Sequence, residues 1–133
     1  MSKAARTSEL WTKAGIAARS ARHLIDAGDA DGATNRAYYA IFGAARAALV
    51  TVRPALAQCK RHATIVRRFD KHVVAERGLD RSFGKAFFHR QQNARWIADY
   101  DAAPVGAERA QRVISEMEAF LAVVEPLVKQ VRP

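Results

Sequence analysis

Apolar residues recur three or four positions apart along almost the whole chain, and no stretch alternates apolar with polar between turn residues as a half-buried strand would. The pattern predicts an all-α protein. A first helix is expected from about Ser8, as N-cap, to Ala27, with Leu10, Ala14, Ala17, Ala21, Leu24 and Ile25 on one stripe and Gly28 ending it. A second, from about Asp31 to Val52, carries Tyr38, Phe42, Ala45 and Leu49 on one face until Pro54 forbids continuation. The third spans roughly Arg61 to Ala75, burying Ile65, Val66, Phe69, Val73 and Val74, and stops at the ERGLD segment. The fourth begins near Ser82, buries Phe83, Phe87, Ala94 and Ile97, and closes before Pro104. The fifth starts near Val105 on a stripe of Ala110, Val113, Met117, Phe120, Leu121 and Val124, and Pro126 is expected to kink or end it. Short connections make neighbours antiparallel, which gives an antiparallel four- to five-helix up-and-down bundle. Adjacent helical residues are about 100° apart, so one member of Tyr38–Tyr39 and one of Phe87–Phe88 should face outward or toward a second chain. That favours a dimer interface, and Trp96 is either interface or exposed stacking surface.

Half of the 133 residues are apolar, enough to fill one core, so a single domain over 1–133 is expected. The longest apolar runs, such as Phe120 to Val124, fall far short of the ~20 residues that span a bilayer. The start MSKAARTSEL has no apolar stretch of a signal peptide, which points to a cytoplasmic protein without membrane attachment. A lone Cys59 rules out an internal disulfide framework and a cysteine-rich zinc site.

Charge changes the picture more. The net +9 is concentrated: Arg36 to Arg95 hold 13 basic and 3 acidic residues, hence +10, and the flanks together hold −1. A positive middle on a near-neutral frame suits RNA, a nucleotide or an acidic protein, although a basic surface also serves solubility alone. With no GxxxxGK[ST] and no GxGxxG, phosphate contacts would come from side chains or helix ends. His72 and Glu76 share a helical face, but two ligands do not make a zinc site, so no metal or other cofactor is expected.

The fourth helix ends in ARWIADYDAAP, where Arg95 and Asp99 stand one turn apart. Gln91 and Gln92 lie a turn earlier, so a polar stripe climbs a helix that elsewhere buries Phe87 and Ile97. Polar groups inside a bundle need polar partners, and Asn35, Arg36 and Tyr39 on the second helix are the natural ones. Tyr100 would point about 140° from Arg95 in a continuous helix, so the two converge only if the helix loosens at Asp99 or across a dimer axis. The expectation is a polar site at the end of the bundle, with Arg95, Asp99 and Tyr100 as its chemical groups and Asn35, Arg36, Tyr39 and Gln92 as binding residues. The competing explanation is a buried structural network that fixes helix register.

The stretch NRAYYAIFGAARAAL within Ala33 to Leu49, the following His62 near Ile65 and Phe69, and RWIADYD at Arg95 to Asp101 together resemble the HEPN domain family. The resemblance implies a bundle of four or five helices that pairs into a homodimer, is often encoded beside a minimal nucleotidyltransferase, and in many members acts on RNA. It further implies, for ribonuclease members, an arginine followed four to six residues later by histidine, and for some related systems adenylylation of a tyrosine by the partner transferase. This chain departs from the ribonuclease pattern: Tyr100 stands five places after Arg95 and the last histidine is His89, while Gly43 occupies the place in IFGAA where relatives commonly carry histidine.

Histidine, with an ordinary pKa of about 6.5, can accept a 2′-hydroxyl proton near neutrality, whereas tyrosine at about 10 is ionised on the order of one part in a thousand. Metal-independent endoribonuclease action through Tyr100 is therefore disfavoured, and hydrogen-bond donation to a phosphate oxygen, or attack as the nucleophile for a modifying enzyme, suits its phenol better. Another match to the spacing, Arg67 and His72 in RRFDKH, carries no weight, because 16 arginines and 4 histidines give about one such match by chance; both are taken as surface residues. The expected function is one half of a two-component, toxin–antitoxin-like system with a nucleotidyltransferase, contacting RNA or nucleotide phosphates. The alternative is a non-enzymatic scaffold that docks a partner protein.

Overall fold

In the computed structural model, which describes residues 2–130, five helices and no strand make up an antiparallel bundle. They are α1 (Lys3–Asp26), α2 (Ala30–Val52), α3 (His62–Phe69, widening into a π-helical turn over Asp70–Ala75), α4 (Lys85–Tyr100) and α5 (Ala107–Lys129). Met1 and residues 131–133 lie outside the described residues. No described helix is long and apolar enough to cross a membrane.

The first helix starts earlier than Ser8: the Ser2 hydroxyl accepts from the Ala5 N–H at 3.1 Å and caps it. Its end follows the periodicity. Gly28 takes φ +85°, the left-handed conformation that closes a helix cheaply only without a Cβ. Asp29 then caps α2, its carboxylate accepting from Gly32 N–H at 2.8 Å.

Helix α2 is the axis of the bundle, with α1, α4 and α5 packed around it. It meets α1 through small residues, Ala33, Ala37, Ala40 and Ala44 on α2 and Ala14, Ala17, Ala18 and Ala21 on α1 all being buried. Gly43 belongs to this seam, since a Cβ added there would sit 3.4 Å from the Ala14 Cβ.

On the opposite side Phe120 of α5 is ringed by Phe69, Phe83, Phe87 and Phe88 at centroid distances of 5.3–5.6 Å. Phe87 and Phe88 are 2 % and 1 % exposed, so neither turns outward as the 100° step suggested. α4 enters the groove between α3 and α5, and the two rings meet Phe120 from different sides, one stacked and one edge-on.

The fourth helix begins at Lys85, later than Ser82, because Asp80 caps a short 3-10 turn over Arg81–Phe83. Asp70 then accepts from the Lys85 N–H at 3.1 Å, placing a carboxylate at the positive end of α4. Pro126 does not end α5, which continues to Lys129. The carbonyl that loses its partner is that of Ala122, and both residues are exposed, so water can satisfy it. The α4–α5 connection is tied back to the start of α2 by the Val105 N–H donating to Asp31 at 2.9 Å. That bond brings the end of α4 beside Asn35 and Arg36.

Candidate phosphate-binding site

Three helices bring the polar residues together. Along α2, Asn35, Tyr38, Tyr39 and Phe42 recur at helical spacing and face α4 and the first residue of α3. From α4, Arg95 and Asp99 stand one turn apart and form an ion pair at 3.2 Å, their side chains 16 % and 23 % exposed. Asp99 also accepts from the Asn35 side-chain amide at 3.1 and 3.3 Å, and the Asn35 carbonyl oxygen accepts from Arg36 Nε at 3.3 Å. A continuous chain of polar contacts therefore runs Arg95–Asp99–Asn35–Arg36.

Both guanidinium groups lie on aromatic faces. Arg95 Cζ is 5.0 Å from the Tyr38 ring centroid and 5.9 Å from that of Tyr39, while Arg36 Cζ is 5.1 Å from the Tyr39 ring. Each contact adds attraction of about 0.5–2 kcal/mol, more as water is excluded. One group is left over: the buried Arg95 Nε has no partner.

His62, at the start of α3, completes the cluster. Its ring stacks on Phe42 at 4.0 Å, and its Nδ1 lies 2.7 Å from the Tyr38 hydroxyl. Burial pushes the Tyr38 phenol up to about 12, with Arg95 opposing the shift, so it keeps its proton. Burial, and then the Arg95 charge, hold His62 below its ordinary value, so the imidazole is neutral at pH 7. The phenol consequently donates to Nδ1, which leaves the imidazole proton on Nε2.

Beside this cluster a cleft of about 420 Å³ opens between α1 and α2. Lys13, Arg36, Arg46 and Lys60 line it together with His62, and Leu10, Tyr39 and Phe42 form its apolar wall. Its lining includes no carboxylate.

Among the residues expected at the site, Arg95, Asp99, Asn35, Arg36 and Tyr39 are gathered in one network. Tyr100 is not: α4 stays helical through it, and the ring is 66 % exposed, packed on Trp96 at 5.0 Å. Within one chain, therefore, the guanidinium and the phenol diverge. Gln92 borders a shallow groove with His89, Asn93 and Trp96, and Gln91 is buried and donates to Glu116 of α5 instead of extending the stripe. Of the pair taken as surface residues, Arg67 is exposed, whereas the His72 ring is largely covered and bonds Glu76 at 2.8 Å.

Tyr38 as a hydrogen-bonding group and the cleft cations Lys13, Arg46 and Lys60 went unrecognised in the sequence. One signal was present: Arg36, Tyr39, Gly43 and Arg46 repeat at spacings of three, four and three, a single face of α2 with a cation at each end.

The fold and site define an all-α bundle with a cation–aromatic cluster where α2, α3 and α4 meet. Residues 7–127 match the HEPN domain. The chain belongs to the HEPN domain family. It is also 33 % identical over 101 residues, covering 74 % of this chain and 71 % of the relative, to the protein of Methanocaldococcus jannaschii named "Putative toxin MJ0605". No solved structure gave a significant match.

Proposed function

We propose that this chain is the HEPN half of a toxin–antitoxin-like pair and binds RNA or nucleotide phosphates where α2, α3 and α4 meet. The observation that carries the reading is the pair Arg95 and Arg36, held on tyrosine faces and ordered by Asp99 and Asn35, with Arg36 also lining a cleft that holds further cations. Side chains already ordered by their neighbours lose little entropy on binding an anion, and guanidinium groups match phosphate oxygens well. The name of the M. jannaschii relative supports the toxin–antitoxin setting. Arg95 and Arg36 serve as hydrogen-bond donors to phosphate oxygens, Asp99 and Asn35 as their positioning residues, and Tyr39 as the platform beneath.

Tyr100 takes a different part. Its exposed phenol at the end of α4 is accessible to a partner nucleotidyltransferase as an acceptor, and with Trp96, 57 % exposed, it offers an aromatic patch for a second copy or that partner.

Titration of the purified chain with labelled single-stranded RNA at several salt concentrations tests the binding. Affinity should fall steeply as salt rises, and Arg95→Ala should weaken it by about tenfold or more while its far-UV circular dichroism stays unchanged. Absence of binding at low salt removes the phosphate reading and leaves a scaffold that docks a partner protein through its basic surface.

A further inference from the structure

A second groove, shared by α4 and α5, holds a buried acceptor that nothing satisfies. Gln91 lines it and is only 3 % exposed, and its side-chain amide donates through Nε2 to the Glu116 carboxylate. That bond fixes the amide, since turning it over would set oxygen against oxygen. The Gln91 Oε1 is left buried without a donor. An acceptor in that state is destabilising, and an N–H brought by a ligand relieves it.

Charge adds a second demand. Arg90 of α4 and Arg109 and Arg112 of α5 line the same groove, about 210 Å³ in volume, with Asn93 beside them and Ala94 and Val113 as its apolar part. Glu116 is the carboxylate in this lining, and it faces Gln91 and, more distantly at 3.9 Å, Arg90. Arg112 stands four residues before Glu116, the spacing of a helical ion pair, yet neither it nor Arg109 pairs with a carboxylate among the described residues. Even with Glu108 counted, which borders the adjoining groove beside Arg112, three guanidinium groups meet two carboxylates and the surface stays positive.

A ligand that answers both demands carries anionic groups for Arg109 and Arg112 and an N–H for Gln91. An acidic polypeptide has both, an amide N–H at nearly every residue and carboxylates on its side chains. A sugar–phosphate backbone has anions but no N–H, and Glu116 would repel its closely spaced phosphates. Alternate side chains of an extended peptide recur every ~6.6 Å, and Arg109 and Arg112 are separated by a rise of about 4.5 Å, a difference that two long side chains can span. We propose that the α4–α5 groove docks an extended acidic segment of a partner protein, with a backbone N–H on Gln91 Oε1 and alternate carboxylates on Arg109 and Arg112. Asn93 also borders the shallow groove that carries the exposed Trp96, so a segment running on along α4 meets an aromatic surface. The proposal goes beyond the phosphate-binding reading and does not depend on it.

The test measures fluorescence anisotropy with the intact chain and four labelled probes: a peptide alternating glutamate and threonine, its glutamine counterpart, the glutamate peptide N-methylated along its backbone, and a short single-stranded RNA. The glutamate peptide should bind about tenfold or more tighter than the glutamine peptide. It should also bind about threefold or more tighter than its N-methylated form, which keeps every carboxylate and loses the donors. Both preferences should vanish in an Arg109→Glu, Arg112→Glu double variant, whose side chains are exposed and whose fold is checked by far-UV circular dichroism. They should persist in Arg19→Glu, Arg67→Glu, which changes the net charge equally at exposed positions on α1 and α3. Equal binding of the glutamate peptide and either control peptide overturns the proposal, as does an equal loss in both double variants. A loss of RNA binding but not of peptide binding in Arg109→Glu, Arg112→Glu makes the groove a nucleic-acid contact and overturns it as well.

Discussion

Two aromatic clusters occupy this small bundle, and their neighbours separate them. Around Phe120 the rings of Phe69, Phe83, Phe87 and Phe88 lie 5.1–5.6 Å apart and meet other apolar groups, apart from the Arg90 guanidinium 5.8 Å from the Phe87 ring. Around Tyr38 the rings of Tyr39, Phe42 and His62 are spaced 4.0–6.2 Å apart, yet guanidinium groups lie on their faces and a charged cleft opens alongside. Similar ring packing thus serves opposite ends. In the first cluster it excludes water and holds α3, α4 and α5 together; in the second it orders cations at a surface, at the cost of an unpartnered Arg95 Nε.

The contrast is broken most severely at its apolar pole. Phe120→Ala should destabilise the fold by about 3–5 kcal/mol, measured by urea denaturation, because four flanking rings cannot collapse into the space left behind. At the polar pole Tyr38→Phe keeps the ring and removes one hydroxyl. It should cost only about 1–2 kcal/mol in the same measurement, by leaving His62 Nδ1 without its donor. The smallest effect is a pH dependence. Burial and Arg95 keep the folded-state His62 pKa below its unfolded value of about 6.5, so the unfolded chain takes up the proton first as pH falls. This contribution to stability is full above about pH 6.5 and declines below it. Comparing urea midpoints at about pH 5.5 and 7.5 should show a smaller drop in His62→Gln than in the unsubstituted chain.

The helices and most of the core were legible in the sequence because each depends on local periodicity: Ile65, Val66, Phe69, Val73 and Val74 are all buried as their spacing implied. The Arg95–Asp99–Asn35 network was legible too, since polar groups on a bundle-facing stripe require polar partners and α2 offered few. What the sequence hid depends on how distant segments dock. Lys13 and Lys60 reach one cleft only because α1 packs against α2 through alanines and the segment before α3 folds back over it. The Tyr38–His62 bond joins residues 24 positions apart, a separation that helical spacing says nothing about. Phe87 and Phe88 exposed the weakness of arguing from one helix alone, because a residue inserted between two neighbours can bury adjacent side chains.

The central claim is that anions bind at the cation–aromatic pole, and mapping amide and aromatic resonances of the labelled chain during titration with a short single-stranded RNA tests it most directly. Shifts concentrated at Lys13, Arg36, Tyr39, Arg46, His62 and Arg95 are the predicted result. Shifts absent there, or confined to the Arg109 and Arg112 face of α5, would contradict it.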